Sequence, residues 1–256
     1  MEYGICNLGI IPARAEASDR AEIVTHLLFG EHFQVIEQEE KWLKIRLHHD
    51  EYEAWICQKQ WMEITHEEFD NLSLNEFPIV GEKWTTVSNV ETGEEIPVSY
   101  GAVLPYLDKS GRFKLLNQAY SYQGTIASGN RKELKQYAKS MLSTPYLWGG
   151  RGSFGIDCSG FSQLMYRLIG KSIPRDAYQQ VELGETIQFV DLVETGDLVF
   201  FDNDEGHINH VGIVLEPGKV IHASGKVRID QLDHQGLFAT DAKRYTHQLR
   251  IIKRLF

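Results

Sequence analysis

Gly155-Ile156-Asp157-Cys158-Ser159-Gly160-Phe161-Ser162-Gln163-Leu164-Met165-Tyr166-Arg167-Leu168-Ile169-Gly170 is the stretch on which the reading of the second half of the chain turns. Phe161, Leu164, Met165, Leu168 and Ile169 recur at the i, i+3, i+4, i+7, i+8 spacing of one helix face, and Gly170 follows as a stop. Asp157 stands where an N-cap belongs, which places Cys158 in the first turn of the predicted helix. The partial positive charge of a helix N-terminus favours a thiolate at that position. The adjacent Asp157 opposes it, so a cationic partner is expected from elsewhere.

Upstream, Leu134, Tyr137, Ala138, Met141 and Leu142 show the same helical spacing. Asn130 is a plausible N-cap there with Glu133 three residues on, and Ser143-Thr144-Pro145 ends the pattern. Downstream, Asp197–Phe201 and Val211–Leu215 read as buried strands, and Pro217-Gly218 supplies a turn before Val220–Ala223. Helices first and strands after is an α+β order. The two strands carry His210 and His222, the candidate partners for Cys158 in a Cys–His pair oriented by a third polar group, the general arrangement for acyl transfer. A hairpin with a two-residue loop pairs 216 with 219 and puts the imidazoles on opposite faces. An odd loop or a bulge pairs 212 with 222 and puts them on one face, with Gly218 free to take positive φ.

The first ~65 residues read differently. Phe33, Val35 and Ile36 begin one run, Trp42, Leu43, Ile45 and Leu47 form another, and Tyr52–Ile56 follows a polar turn at His48–Glu51. Period-two runs separated by turns predict a small β-barrel. Residues 70–128 repeat the outline. Gly93–Val98 is similar to Gly30–Val35, and Tyr122–Ile126 to Tyr52–Ile56, which implies a second module of the same kind. The boundaries this suggests are 1–66, 67–128 and 129–256.

Composition limits the function classes. The chain has 256 residues with 26 Lys+Arg and 36 Asp+Glu, a net charge of −10, which argues against nucleic acid and against an anionic membrane surface as partners. Three cysteines, Cys6, Cys57 and Cys158, are neither a disulfide framework nor a zinc pattern; Cys6 and Cys57 read as inert thiols. The residues before Ile11 have neither a basic segment nor an apolar run of signal-peptide length, so a cytoplasmic location is expected unless the chain is truncated. No cofactor and no metal is expected. His26, His32, His48 and His49 read as surface residues and Trp148 as a core aromatic.

Five ordered motifs in the second half resemble the NlpC/P60 cysteine peptidases: Pro145–Gly150, Asp157–Gly160, Gly196–Phe201, His210–Ile213 and Ile221–Ala223. Phe29-Gly30-Glu31, Trp42-Leu43-Lys44 and Tyr52–Ile56 resemble the bacterial SH3 (SH3b) modules that accompany this domain in γ-D-glutamyl-L-diamino acid endopeptidases. The resemblance implies a papain-like α+β domain preceded by two SH3-like barrels. It implies Cys158 as nucleophile, His210 as general base, His222 as the residue orienting it and Tyr146 as a helper at the oxyanion. It implies further that Asp157, Ser159 and Asp176 contact the free α-amino group of a small murein peptide. Glu22, with Glu16 as its rival, and Tyr52 match lid-like contacts from the first module. Ala177 stands where closer relatives carry a serine.

The activity so implied is cleavage of L-Ala-γ-D-Glu-(diamino acid) to release L-Ala-D-Glu, in recycling of wall peptides by a monomeric enzyme. Three other readings stay open on the sequence. One is an acyltransferase or amidase on the same scaffold, another a wall-binding SH3b protein without catalysis. The third has Cys158, His210 and His222 holding zinc.

Overall fold

The computed structural model describes residues 2–256 and divides into two compact units, Met1–Gly129 with Trp148–Ser153, and Asn130–Leu147 with Phe154–Phe256. In the first unit, alternation of apolar and polar residues produces strands with one buried face. These are β1 (Glu2–Ile5), β2 (Ile10–Arg14), β3 (Ile23–Leu28), β4 (His32–Gln38), β5 (Trp42–Leu47), β6 (Glu53–Cys57) and β7 (Met62–Ile64). They form one sheet in the order β3-β2-β6-β5-β4-β1-β7. Leu43, Ile45 and Leu47 of β5 point inward with Phe33, Ile11, Leu27 and Ile56. Helix α1 (His66–Ser73) follows, capped by Thr65 and Glu68, each bonding the other's backbone N–H.

A second sheet in the order β10-β11-β8-β9 is built from β8 (Trp84–Asn89), β9 (Glu95–Ser99), β10 (Arg112–Leu115) and β11 (Gln118–Ser121). Its core takes in Ile5, Phe29 and Ile64 from the first sheet's segment beside Val80, Val87, Leu104 and Phe113. The expected match of Tyr122–Ile126 to a strand fails. The Tyr122 hydroxyl donates to the Thr125 carbonyl (2.7 Å) and Glu82 accepts from the Thr125 N–H (2.6 Å), so the segment bends where a strand would run straight.

Strand β12 (Arg151–Gly152) lies in the short segment that joins the first unit. The Arg151 guanidinium is buried against the Glu31 carboxylate, donates from Nε to the His26 carbonyl (3.1 Å), and its own backbone N–H meets His26 Nδ1 (3.2 Å). His26 is therefore buried, contrary to the surface position expected of it, because its ring and carbonyl hold an arginine 125 residues away. Trp148, expected in the core, is exposed.

The second unit begins with a 3-10 turn, Arg131–Glu133, before α2 (Leu134–Ser140). Asn130 accepts from the Lys132 N–H (3.0 Å), one residue short of the position a capping box requires, so Glu133 closes no box. The remaining elements are β13 (Gly155–Ile156), α3 (Cys158–Leu168), α4 (Ala177–Gln180), β14 (Glu185–Ile187), β15 (Leu198–Asp202), β16 (Ile208–Glu216), β17 (Lys219–Ser224), β18 (Lys226–Leu232), β19 (Gly236–Ala239) and β20 (Arg244–Arg254). Strands β15 to β20 pair in succession, and β20 returns to β15, closing a six-stranded barrel with β14 attached to β20. The α+β fold expected from the sequence is what is observed. Helix α3 buries Phe161, Leu164, Met165 and Leu168, and it packs on β16 and β17. Among the described residues no helix is long and apolar enough to cross a membrane.

The Arg151–Glu31 pair makes a stability prediction. Glu31 also accepts the Leu28 N–H (2.8 Å), so Glu31→Ala removes two acceptor roles and takes a carboxylate away from a buried guanidinium. The expected loss is about 3–5 kcal/mol in denaturant unfolding. A midpoint equal to wild type would show that the pair carries no net stability.

Candidate active site

Asp157 is the N-cap of α3: its Oδ1 accepts from the Gly160 N–H at 2.7 Å, and Cys158 is the first helical residue. The two histidines come from the hairpin β16–β17. Glu216 pairs with Lys219 around a two-residue Pro217-Gly218 turn, with Gly218 at φ +78°. A bulge between Val214 and Glu216 then shifts the register, so that Ile213 faces Ile221. The turn has even length, and the bulge supplies the extra residue that brings the imidazoles together. His210 Nε2 and His222 Nδ1 lie 2.8 Å apart, both rings buried and nearly perpendicular. The cysteine meets this strand at its sulfur, which takes a hydrogen bond from the Val211 N–H, one residue beyond His210.

A residue missed in the sequence completes the line. Asp230 of β18 is buried, and its Oδ2 lies 2.9 Å from His222 Nε2, while Arg228 donates to Oδ1 (2.8 Å) and to Asp241 (2.6 Å). Burial pushes the Asp230 carboxyl up, but hydrogen bonds from His222 and Arg228 outweigh it and hold the group below its ordinary value. An ionised carboxylate only accepts, so it fixes the tautomers along the chain. With both rings neutral, His222 carries its proton on Nε2 and offers a bare Nδ1; His210 then donates from Nε2, and its own Nδ1 is left as the lone-pair nitrogen. Register was the available signal: His222 pairs with Arg228, so Asp230 sits diagonally across from it.

The electrostatics differ from what a helix N-terminus alone predicts. Burial and the Asp157 carboxylate push the Cys158 thiol up to about 11, against the lowering effects of the Val211 and Ser159 N–H groups and of Arg175. Burial, then the neighbouring His222 and His247 rings, pushes His210 well down. The resting pair is therefore a neutral thiol beside a neutral imidazole. Tyr146, half-buried in the same unit, is pushed up to about 12 by burial, then by Cys158 and Asp157.

The residues expected around the amine are also in this unit. Arg175, which the sequence reading passed over inside Pro174-Arg175-Asp176, is buried and pairs with Asp157 through Nη2–Oδ2 (2.6 Å) and Nη1–Oδ1 (3.1 Å). It also donates to Ser159 Oγ (2.8 Å). Asp157 is thus already matched by a cation. Asp176 is the N-cap of α4, its N–H meeting Gln179 Oε1 (3.3 Å). Glu22 and Tyr52 belong to the first unit. The Glu22 carbonyl accepts from the Ala15 N–H (3.1 Å), and the Tyr52 N–H donates to Asp50 Oδ1 (3.1 Å).

Comparison with known proteins agrees with this architecture. Residues 143–247 match the NlpC/P60 family, and residues 13–60 match the bacterial dipeptidyl-peptidase Sh3 domain. A γ-D-glutamyl-L-lysine dipeptidyl-peptidase of Bacillus subtilis is 31% identical over 78% of this chain and 72% of its own length. A protein of the same name from Bacillus cereus is 29% identical over 88% and 75%. The dipeptidyl-peptidase 6 of Lysinibacillus sphaericus is 28% identical over 86% and 88%. A crystal structure of an NlpC/P60 family protein from Bacillus cereus superposes with a TM-score of 0.82 at 24% identity, over 98% of this chain and 99% of that one. The chain thus has an SH3-type domain followed by this α+β unit. The chain belongs to the NlpC/P60 family.

A thiol pushed up to about 11 next to an imidazole pushed down has a kinetic consequence. Alkylation of Cys158 by iodoacetamide, followed by peptide-resolved mass spectrometry, is expected to rise steadily with pH between about 6 and 9 as the thiolate fraction grows. A rate that is flat from acidic pH upward would instead mean a thiolate–imidazolium pair at rest.

Proposed function

We propose that this protein is a cysteine peptidase cleaving the γ-D-glutamyl bond to a diamino acid in small murein peptides with a free N-terminal L-alanine, releasing L-Ala-D-Glu. The hydrogen-bonded line Asp230–His222–His210, with the N–H of the next residue, Val211, on the sulfur of Cys158 at a helix N-terminus, is the observation that carries this reading. The names of the Bacillus relatives, which specify γ-D-glutamyl-L-lysine, support the bond.

In the proposed reaction the Cys158 sulfur attacks the γ-carbonyl carbon as its proton passes to Nδ1 of His210. The negative charge forming on the carbonyl oxygen is met by the Cys158 N–H, one of the unpaired donors of the helix start, and by the Tyr146 hydroxyl. Collapse breaks the C–N bond, and His210 returns its proton to the leaving amine of the diamino acid. Water, deprotonated by His210, then attacks the thioester, which releases the dipeptide and restores the thiol. His222 holds the His210 ring and shares the positive charge that forms on it, and Asp230 stabilises that charge from behind.

Selection of a free amine follows from charge. Asp157 and Asp176 against Arg175 sum to one net negative charge, which favours an ammonium, and Ser159 adds an oxygen. A blocked amine forgoes that attraction and is selected against. Such selectivity suits released fragments, the substrates of recycling, rather than intact wall.

The test is mass spectrometry of L-Ala-γ-D-Glu-L-Lys beside its N-acetylated twin. Wild type is expected to release L-Ala-D-Glu from the first only, and Cys158→Ala to cleave neither. Equal cleavage of both peptides removes the amine-recognition step, and cleavage by Cys158→Ala removes the nucleophile. Asp230→Asn, which loses the carboxylate that sets the tautomers, is expected to lower kcat by about 10²–10⁴-fold with KM little changed.

A further inference from the structure

A third histidine stands beside the pair and has no part in the proposed reaction. His247 of β20 stacks on His210, with ring centroids 4.1 Å apart and 20° between planes, and its centroid is 5.5 Å from that of His222. Its backbone is held close by Gly236 at φ +143°. A Cβ there would fall 1.9 Å from the His247 carbonyl oxygen, so only glycine lets β19 and β20 approach at this point. The three imidazoles offer one nitrogen each, all within 4.8 Å of one another. His210 and His222 are buried, and His247 is half-buried, lining a polar groove of about 860 Å³ with Asp202, Asn209, His234 and Tyr245.

The partners of these rings set up ligation. His222 gives its Nε2 proton to Asp230, and His247 Nδ1 lies 2.9 Å from Thr246 Oγ1. Nδ1 of His222 and Nε2 of His247 are thereby left as the ligand atoms. A carboxylate behind a histidine is the outer partner that metal-bound histidines ordinarily have, and it raises the basicity of the ring. Zinc–nitrogen bonds of about 2.0–2.1 Å in a tetrahedron set nitrogens about 3.3 Å apart. Ligation requires His210 and His222 to separate from 2.8 Å and the His247 ring, stacked on His210, to turn at the groove edge so that its Nε2 faces the same ion. Imidazole donors suit zinc, and the groove reaches the cluster at His247.

We propose that His210, His222 and His247 form a reversible zinc site that switches the peptidase off. The inhibition rests on the function proposed above, while the binding does not. Zinc takes the lone pair of His222 Nδ1, that of His247 Nε2, and Nε2 of His210. The proton that His210 Nε2 shared with His222 moves to His210 Nδ1, and no proton is lost. That nitrogen is the one required to accept the Cys158 proton, so the metal blocks the base without touching the sulfur. This differs from the Cys–His–His zinc set open on the sequence alone, because the third ligand is an imidazole from β20.

The test uses the full chain and zinc chloride alone. Calorimetric titration of Cys158→Ala is expected to show one site, weakened at least tenfold by adding either His247→Gln or His247→Ala. Cobalt(II) loaded in place of zinc should give the same tetrahedral spectrum in wild type and in Cys158→Ala, with no thiolate-to-metal charge-transfer band. In peptidase assays, zinc should inhibit wild type reversibly with chelator, and His247→Gln should need at least tenfold more zinc for the same fractional loss. The site is overturned by absence of binding to Cys158→Ala, by undiminished binding after the His247 changes, or by a thiolate band in wild type. If the peptide assay shows no turnover at all, the function proposed above fails while the titration and spectrum still decide the site.

Discussion

One buried carboxylate governs the chemistry of the second unit. Asp230 sits inside the barrel and accepts from His222 on one oxygen and from Arg228 on the other. Because it can only accept, each imidazole in front of it has a defined proton position, and the last nitrogen in the line is bare. Without it, either tautomer of His222 would satisfy the 2.8 Å contact to His210, and the base proposed above would be present only part of the time. The bulge after Val214, the even turn at Pro217-Gly218 and the pairing of His222 with Arg228 all deliver side chains to this line.

The same enclosure that orders the line works against an ionised sulfur. Burial dominates both partners, raising the thiol and lowering the imidazole, and Asp157 adds to the first effect. Asp157 nevertheless belongs there, since it caps α3 and anchors the buried Arg175. The proposed chemistry is consistent with such a pair: the proton leaves the sulfur as the sulfur–carbon bond forms, with the helix N-terminus aimed at the charge that appears.

Much of the site was legible in the residues themselves. Asp157 before a helical apolar stripe announced both the cap and the place of Cys158, and two histidines on facing strands announced their meeting once the register allowed it. Asp230 and His247 were not legible in this way. Nothing local distinguishes an aspartate in Lys226–Leu232, or a histidine in an eleven-residue strand, from the polar residues that alternate around them. Arg175 went unassigned, because the local sequence shows nothing of the burial of a charged residue beside an aspartate. His26 failed for the same reason. The second module's last strand failed because Tyr122 and Glu82 satisfy the backbone locally and bend it.

By itself the sequence determined the α+β order, the helix that presents Cys158, the strands that carry His210 and His222, and the barrel character of the first segment. These follow from periodicity and capping, which act over a few residues. Tertiary structure alone decided the β16–β17 register, the closure of six strands into a barrel, the carboxylate behind His222 and the third imidazole beside His210. Each of those joins residues on different strands, and their proximity depends on where one bulge and one closing strand pair fall, which no local pattern encodes.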